Sequence, residues 1–227
     1  MLEVFRKEIK YSISTVQFYR MKPMLQACLT LDPHCADGAG YQVRSLYFDS
    51  YSDGDLFDVL AGVQSKQKIR LRTYDAAADA FKLEYKCKTG TDSIKKSIAV
   101  SRSLAMQLAA GRYEKLAQIP GDTARELYAR MKMEAYQPRV VVYYRRIAYI
   151  ARLNDVRITF DYDIGASFDP AALFTDSLLF EPVGETGAGV LEVKYNQFLP
   201  GYLETALCGL NALPTANSKY AQSRLLL

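Results

Sequence analysis

Alternation of apolar and polar residues with a period of two recurs along this chain. Eight segments carry it: Val4–Tyr11, Tyr41–Asp49, Ser65–Tyr74, Phe81–Lys88, Ser93–Val100, Arg139–Arg152, Val156–Tyr162 and Val190–Tyr195. Each is rich in β-branched or aromatic residues, which pack well on a pleated surface, so each predicts a strand. Turn chemistry lies between them at Asp37-Gly38, Asp53-Gly54, Thr89-Gly90, Asn154-Asp155 and Gly184–Gly189. Asn154-Asp155 sits between two strong strands and predicts a tight hairpin. Helical periodicity is rarer. Ser14–Leu29 reads as a helix that Pro23 should kink or split, because proline lacks the N–H of the ladder. Ser103–Ala110 begins after Ser101 and ends at Gly111, a natural terminating glycine. Asp122–Ala135 has Asp122 as an N-cap candidate and an apolar stripe through Leu127, Met131 and Ala135. Ala216–Leu227 predicts a short C-terminal helix capped by Asn217 or Ser218. With no repeat, low-complexity tract or clear linker, the expectation is one β-rich α+β domain over residues 1–227.

The strands are unusual in what their polar faces carry. In Ser65–Tyr74, Lys66, Lys68, Arg70 and Arg72 share a face opposite Gln67, Ile69 and Leu71. In Phe81–Lys88, Lys82, Glu84, Lys86 and Lys88 oppose Phe81, Leu83, Tyr85 and Cys87. Arg6, Glu8 and Lys10 do the same in the first strand, Arg157, Thr159 and Asp161 in the seventh, and Glu192 and Lys194 in the eighth. One such strand fits an ordinary sheet with one solvated face. Five in one small domain, mostly basic, do not, because like charges directly across a sheet repel. A dense cationic face points to an anionic ligand that offsets the repulsion. Helices covering the apolar faces from outside would turn the charged faces inward, into a closed antiparallel barrel with a polar bore. A chain of phosphates would supply the partners that buried cations need. The carboxylates among them, Glu8, Glu84 and Glu192, are either internal ion-pair partners or hard-oxygen ligands for Mg²⁺ or Mn²⁺.

Composition narrows the alternatives. The 227 residues carry 29 Lys and Arg against 25 Asp and Glu, so arrangement rather than net charge carries the signal. Cys28, Cys35, Cys87 and Cys208 form no C-x-x-C pair and fit no zinc ribbon; they read as reduced, buried thiols of a cytoplasmic protein. The one histidine, His34, falls in a Pro/Asp/Gly-rich stretch, which argues against a Ser-His-Asp triad and a multi-histidine metal centre. No signal-peptide core is present, and no apolar run approaches the roughly 20 residues that span a bilayer.

The motifs RKEIKY (Arg6–Tyr11), YQVRSLYFDS (Tyr41–Ser50), KIRLRTY (Lys68–Tyr74), LEYKCK (Leu83–Lys88), YRRIAY (Tyr144–Tyr149), VRITFD (Val156–Asp161), VLEVKY (Val190–Tyr195) and SKY (Ser218–Tyr220) occur in an order that spans nearly the whole chain. In this the chain resembles the VTC (vacuolar transporter chaperone) polyphosphate-polymerase domain of the triphosphate tunnel metalloenzyme superfamily, also called CYTH-like. The resemblance implies an eight-stranded antiparallel tunnel with helices packed outside. It implies that Lys10, Arg70, Arg72, Lys86, Arg157, Lys194 and Lys219 cradle phosphate, with Lys68 beside them. Arg146 joins the set if YRRIAY aligns on its final Ala-Tyr; Arg145 is the rival. Lys95 is preferred to Lys96, because it leaves Ile94, Ile98 and Val100 on the outer face. Glu192 would be the main ligand of Mn²⁺ or Mg²⁺ and Glu8 the second. The superfamily often opens with E-x-E-x-K, whereas Arg6 stands here at the first position. That removes a potential ligand and favours the polymerase branch over the triphosphatase branch. The sequence opens almost at the first strand of this pattern, so a stand-alone domain without the regulatory SPX domain is expected, and coupled translocation would need a separate membrane-protein partner.

The expected activity is transfer of the γ-phosphoryl of a nucleoside triphosphate, ATP first among them, to polyphosphate or pyrophosphate. Water as acceptor would make the same site a triphosphatase. Loss of metal chemistry would leave a polyphosphate- or nucleotide-binding module. An RNA 5′-triphosphatase is disfavoured by the missing second carboxylate and modest external basicity, and no nucleic-acid partner is expected.

Overall fold

The computed structural model describes residues 6–35, 38–90, 92–177 and 179–226. Val4, Phe5, the Arg6 side chain, Asp37 and Leu227, which figure in the expectations above, lie outside the described residues. In chain order the elements are β1 (Arg6–Ser14), α1 (Thr15–Cys28), β2 (Thr30–Leu31), β3 (Tyr41–Asp49), α2 (Gly54–Leu60), β4 (Ser65–Thr73), β5 (Ala80–Thr89) and β6 (Asp92–Ser101). They continue with α3 (Arg102–Ala109), α4 (Asp122–Met133), β7 (Gln137–Ala151), β8 (Val156–Ser167), β9 (Glu181–Pro182), β10 (Ala188–Asn196), α5 (Gly201–Cys208) and α6 (Lys219–Arg224). The eight long strands are the eight segments with period-two alternation. They follow the order β1-β10-β8-β7-β3-β4-β5-β6, with the short β2 and β9 attached to β7 and β8. Antiparallel ladders join β1 to β10, β10 to β8, β3 to β4, β4 to β5 and β5 to β6.

Contacts divide the chain into two compact units. The first comprises Met1–Gln42, Tyr144–Ile164 and Gly184–Asn217; the second comprises Val43–Tyr143, Gly165–Val183 and Ser218–Leu227. Each has its own apolar core. In the first unit, Val156, Ile158 and Phe160 of β8 and Leu191, Val193 and Tyr195 of β10 pack with Phe18, Met21 and Leu25 of α1 and Leu203 and Leu207 of α5. In the second, Ile69 and Leu71 of β4, Phe81, Leu83 and Tyr85 of β5 and Val100 of β6 pack with Leu104 and Leu108 of α3 and Leu127 and Met131 of α4. Helices therefore cover the apolar strand faces, and the opposite parity of each strand is left for the charged residues.

Several local expectations are corrected. Pro23 does not split α1, which runs unbroken past it. The carbonyl deprived of a donor belongs to Tyr19, on the exposed side of the helix, where water can serve it. Asp122 is the first residue of α4 rather than its cap; Gly121, at φ 113°, is the N-cap and offers no side chain. α4 ends at Met133, and Ala135, at φ 48°, is exposed and outside the apolar stripe. α2 and α5 were not expected. Of the four thiols, all unpaired, Cys35 is buried and Cys87 half-buried, but Cys28 and Cys208 are exposed. Among the anticipated features, Ser101 caps α3 and Ser218 caps α6. Asn154 and Asp155 both take positive φ, 53° and 48°, as a tight hairpin turn requires.

Gly189 sets the close approach of β10 to β8. A Cβ there would lie 2.5 and 2.6 Å from Phe160 ring atoms and 2.7 Å from the Asp161 carbonyl oxygen. The Phe160 ring has little room to yield, being stacked on Phe18 at 4.1 Å. Gly189→Ala should cost about 1–3 kcal/mol of unfolding free energy, the usual penalty of overpacking. Urea denaturation checks this; an unchanged midpoint would show that the ring moves aside freely.

Candidate functional site

Strand parity brings the charged residues together in each unit, with different balances. In the second unit, Lys68, Arg70 and Arg72 of β4 are in register with Lys86, Glu84 and Lys82 of β5, and Lys86 is in turn opposite Lys95 of β6. Lys68, Lys86 and Lys95 thus form a row of like charges across three strands. A carboxylate, Glu84, interrupts the cations. Glu84, 3% exposed, accepts from Arg70 Nε at 2.7 Å, ion-pairs with Lys95 Nζ and lies 3.8 Å from Arg72. Burial opposes the charge of Glu84, but Arg70 and Arg72, together with hydrogen bonds from Lys95 and Arg70, outweigh it and pull the carboxyl down to about 2. Lys96 points the other way, to Glu126 of α4 at 2.5 Å, so of the two lysines Lys95 is the one with the cluster.

Two hydroxyls of β3 meet the same cations. Ser45 accepts from Arg72 Nε at 3.1 Å, and the Tyr47 phenol from Arg70 Nη1 at 3.2 Å. Lys68 donates to Ser218 Oγ at 2.9 Å. Ser218 also accepts from Ala221 N as the cap of α6, so Lys219 is presented at the first position of that helix. α6 is anchored by Tyr220, which donates to the buried Asp49, and by Arg224, which pairs with Asp53 at 2.9 Å.

In the first unit each predicted cation has a carboxylate. Lys10 lies 3.2 Å from Glu8 and 3.6 Å from Glu192; Lys194 lies 2.5 Å from Glu192 and 4.0 Å from Glu8. The register explains this square: Glu8 is opposite Lys194, and Lys10 is opposite Glu192. Burial pushes the Glu192 carboxyl up, but Lys194 and Lys10 prevail and its pKa is lowered. Arg146 makes a two-pronged pair with the fully buried Asp161, Nε at 2.6 Å and Nη2 at 2.8 Å. Arg157 pairs with the buried Asp32 at 2.7 Å and donates to Tyr41 at 3.3 Å. Arg145 instead donates to the Ala39 carbonyl and lies over the Tyr162 ring, so Arg146 is the arginine on the charged parity. His34 sits in a single 3₁₀ turn, its backbone N–H on Asp32.

The donor set fits a hard divalent cation only in part from protein atoms. Glu8 and Glu192 supply carboxylate oxygens. Opposite Glu192 in the ladder stands Thr159, whose buried Oγ1 has no hydrogen-bond partner. Among the described residues no group of three His, Cys, Asp or Glu side chains could enclose a metal. An ion here would complete its shell with water or phosphate oxygens, as Mg²⁺ commonly does.

Sequence reasoning found the cations but missed Asp32 and the pairing role of Asp161, as well as Ser45, Tyr47, Tyr41 and Ser218. The sequence matches the VTC domain family model over residues 5–227. The chain belongs to the VTC domain family. Among solved structures, a Bacillus halodurans protein provisionally named an adenylate cyclase is 12% identical, with 94% of this chain and 96% of that one covered and a TM-score of 0.53. A Vibrio parahaemolyticus protein of the same provisional name is 12% identical (97% and 98% covered, TM-score 0.49). The mimivirus capping enzyme triphosphatase is 11% identical (90% and 88% covered, TM-score 0.42). At 12% identity the Bacillus likeness bears on the fold alone, and it agrees with the CYTH-like antiparallel fold expected of this VTC domain. A comparison with curated proteins gives no match. Among the described residues no helix of the VTC domain is long and apolar enough to cross a membrane.

The Glu84 hub generates a direct test. Glu84→Gln leaves three cations facing one another and should cost about 3 kcal/mol at pH 7, as breaking a buried ion pair does. The carboxyl titrates near 2 when folded and near 4.5 otherwise, so its contribution is full above about pH 4.5 and fades toward pH 2. Urea unfolding at pH 7 and pH 3 should show the deficit shrinking on acidification. An equal deficit at both would contradict the charge assignment.

Proposed function

We propose that this VTC domain, acting as one domain over residues 1–227, is a metal-dependent phosphotransferase. Its donor is a nucleoside triphosphate, ATP first, and its acceptor polyphosphate or pyrophosphate. The observation that carries the reading is the charged face of the second unit, where Lys68, Arg70, Arg72, Lys86 and Lys95 stand in register across three strands and Arg70, Arg72 and Lys95 converge on Glu84. Such a face is held together at a cost that phosphate oxygens relieve.

Phosphoryl transfer passes through a loose transition state with charge spread over the non-bridging oxygens, so positioning and electrostatic stabilisation do most of the work. Arg70 and Arg72 are preorganised for this, because Glu84, Tyr47 and Ser45 fix their guanidinium planes. Lys219, Lys86 and Lys95 add point charges. In the first unit, Arg146 and Arg157 are oriented by Asp161 and Asp32, and Lys10 and Lys194 by Glu8 and Glu192. That balanced face attracts anions weakly as it stands. Mn²⁺ or Mg²⁺ on Glu192 and Glu8 would make it net positive; the ion, when bound, neutralises phosphate charge. A phosphate acceptor is already anionic, so no general base is needed, in keeping with His34 standing in a loop turn.

A second reading, a polyphosphate- or nucleotide-binding module, is favoured by one observation: Lys10 and Lys194 already neutralise both carboxylates. Incubation with γ-labelled ATP and Mn²⁺ or Mg²⁺, resolved on a gel, separates the readings. The expected outcome is a ladder of labelled polyphosphate that is lost in chelator and in Glu192→Gln. Free phosphate alone would mean a triphosphatase. ATP bound without turnover, in chelator as in metal, would mean the binding module.

A further inference from the structure

Tyr47 is an outlier on the charged face. It is 6% exposed, yet its strand parity is that of Ser45, opposite Arg72, and not that of the core residues Leu46 and Phe48. Its register partner is Arg70, whose guanidinium also lies 5.9 Å from the centre of the Tyr47 ring. The other ring contact is a stack on Tyr220 at 5.1 Å, which fixes the plane of the phenol. The hydroxyl accepts from Arg70 Nη1 and, among the described residues, donates to no protein acceptor. A buried phenolic hydrogen is rarely left without an acceptor. Here it stands among Arg70, Arg72 and Lys68.

We propose that Tyr47 is a phosphate-binding residue of this site, donating its phenolic hydrogen to a phosphate oxygen held by Arg70. The assignment rests on the phosphate-handling reading above and deepens it. Arg70 donates Nη1 to the phenol oxygen and would lie beside the same anion, so Tyr47 and Arg70 bind as a unit.

The electrostatics make the proposal visible without turnover. Burial raises the phenol pKa, but Arg70, Arg72 and Lys68, with the Arg70 hydrogen bond, bring it down to about 8. From β4 those three cations face the phenol; from α6 the ring of Tyr220 packs on it, with Arg224 and Asp49 on the Tyr220 hydroxyl; along β3 its neighbours on the same parity are Ser45 and Asp49. Other shifted tyrosines, Tyr11, Tyr41, Tyr85, Tyr113, Tyr136, Tyr149 and Tyr220, all move upward. A bound polyanion disfavours the phenolate and raises the Tyr47 pKa, so the anion binds the neutral phenol better. Affinity is therefore full below about pH 8 and falls as pH rises through that value.

The test uses the whole protein and inorganic tripolyphosphate in chelator. The sequence has no Trp, so the near-ultraviolet tyrosinate band is read without indole absorbance. In the wild type, the first tyrosinate to form should move to higher pH when tripolyphosphate is added. Tyr47→Phe keeps the ring and its stack. It should lack that first ionisation and bind tripolyphosphate about 10- to 100-fold more weakly at pH 7, the worth of one hydrogen bond to a charged group. Equal affinity in Tyr47→Phe, or a wild-type tyrosinate titration indifferent to bound tripolyphosphate, overturns the role of Tyr47 and leaves the phosphate-handling reading intact. Absence of tripolyphosphate binding by the wild type overturns both.

Discussion

Repulsion between like charges on adjacent strands is the constraint on which the second unit is built. Lys68, Lys86 and Lys95 stand directly opposite one another on β4, β5 and β6. Unit charges about 5 Å apart repel by roughly 1 kcal/mol in water and about 3 kcal/mol at the effective dielectric of a protein surface. The sheet tolerates this because its other face is apolar. Ile69, Leu71 and Leu83 are fully buried there beneath α3 and α4, each worth about 1.5–3 kcal/mol of burial. The strand ladder and the outer core thus hold in place a row of charges that would not assemble alone. Glu84 is the internal counterweight, and its depressed pKa measures how strongly the surrounding cations want an anion.

The two units treat the same kinds of side chain differently. In the first, Lys10, Lys194, Arg146 and Arg157 are matched by Glu8, Glu192, Asp161 and Asp32. In the second, Arg70, Arg72 and Lys95 converge on one carboxylate, Glu84, and Lys68 and Lys86 share their face. A balanced face recruits an anion only when a cation is added to it or a carboxylate is displaced. A face with excess positive charge recruits one directly. The carboxylates Glu8 and Glu192 and the buried Thr159 hydroxyl, which has no hydrogen-bond partner, belong to the balanced face of the first unit.

The long strands were legible because period two, β-branching and turn residues all agree in them. The short helices were not. α2 opens at Asp53-Gly54 and α5 at Pro200-Gly201, dipeptides that read as breaks in the chain, and each helix is too short for its periodicity to stand out. The cations of β4 and β5 were legible through strand parity, whereas Lys219, on α6, was legible only through the resemblance. Their partners were harder. Asp32 lies in an irregular stretch between β2 and a 3₁₀ turn, where no parity exists to place it, and only the fold brings it to Arg157. Arg146 could be separated from Arg145 only by seeing which of them reaches Asp161. Tyr47 was hidden for the opposite reason: Val43–Asp49 is buried on both faces of the strand, so an aromatic residue there reads as core.

That stretch of β3 also shows how a cationic face can be organised without being neutralised. On the parity that faces Arg70 and Arg72, β3 offers hydroxyls, Tyr47 and Ser45, where a carboxylate would have formed stronger pairs. A carboxylate fixes a guanidinium by cancelling its charge, as Asp161 does for Arg146. A hydroxyl accepts one N–H, fixes the plane, and leaves the positive charge and a hydrogen of its own for a ligand. Asp49, farther along the same parity, keeps its charge away from the arginines. It is fully buried and spends both oxygens on the backbone N–H groups of Ser50, Asp55 and Leu56 and on the Tyr220 hydroxyl. Tyr220 in turn supports the ring of Tyr47. The acid thus reaches Arg70 through the two tyrosines, holding Tyr47 in position against it, and leaves Glu84 as the carboxylate that Arg70 meets directly.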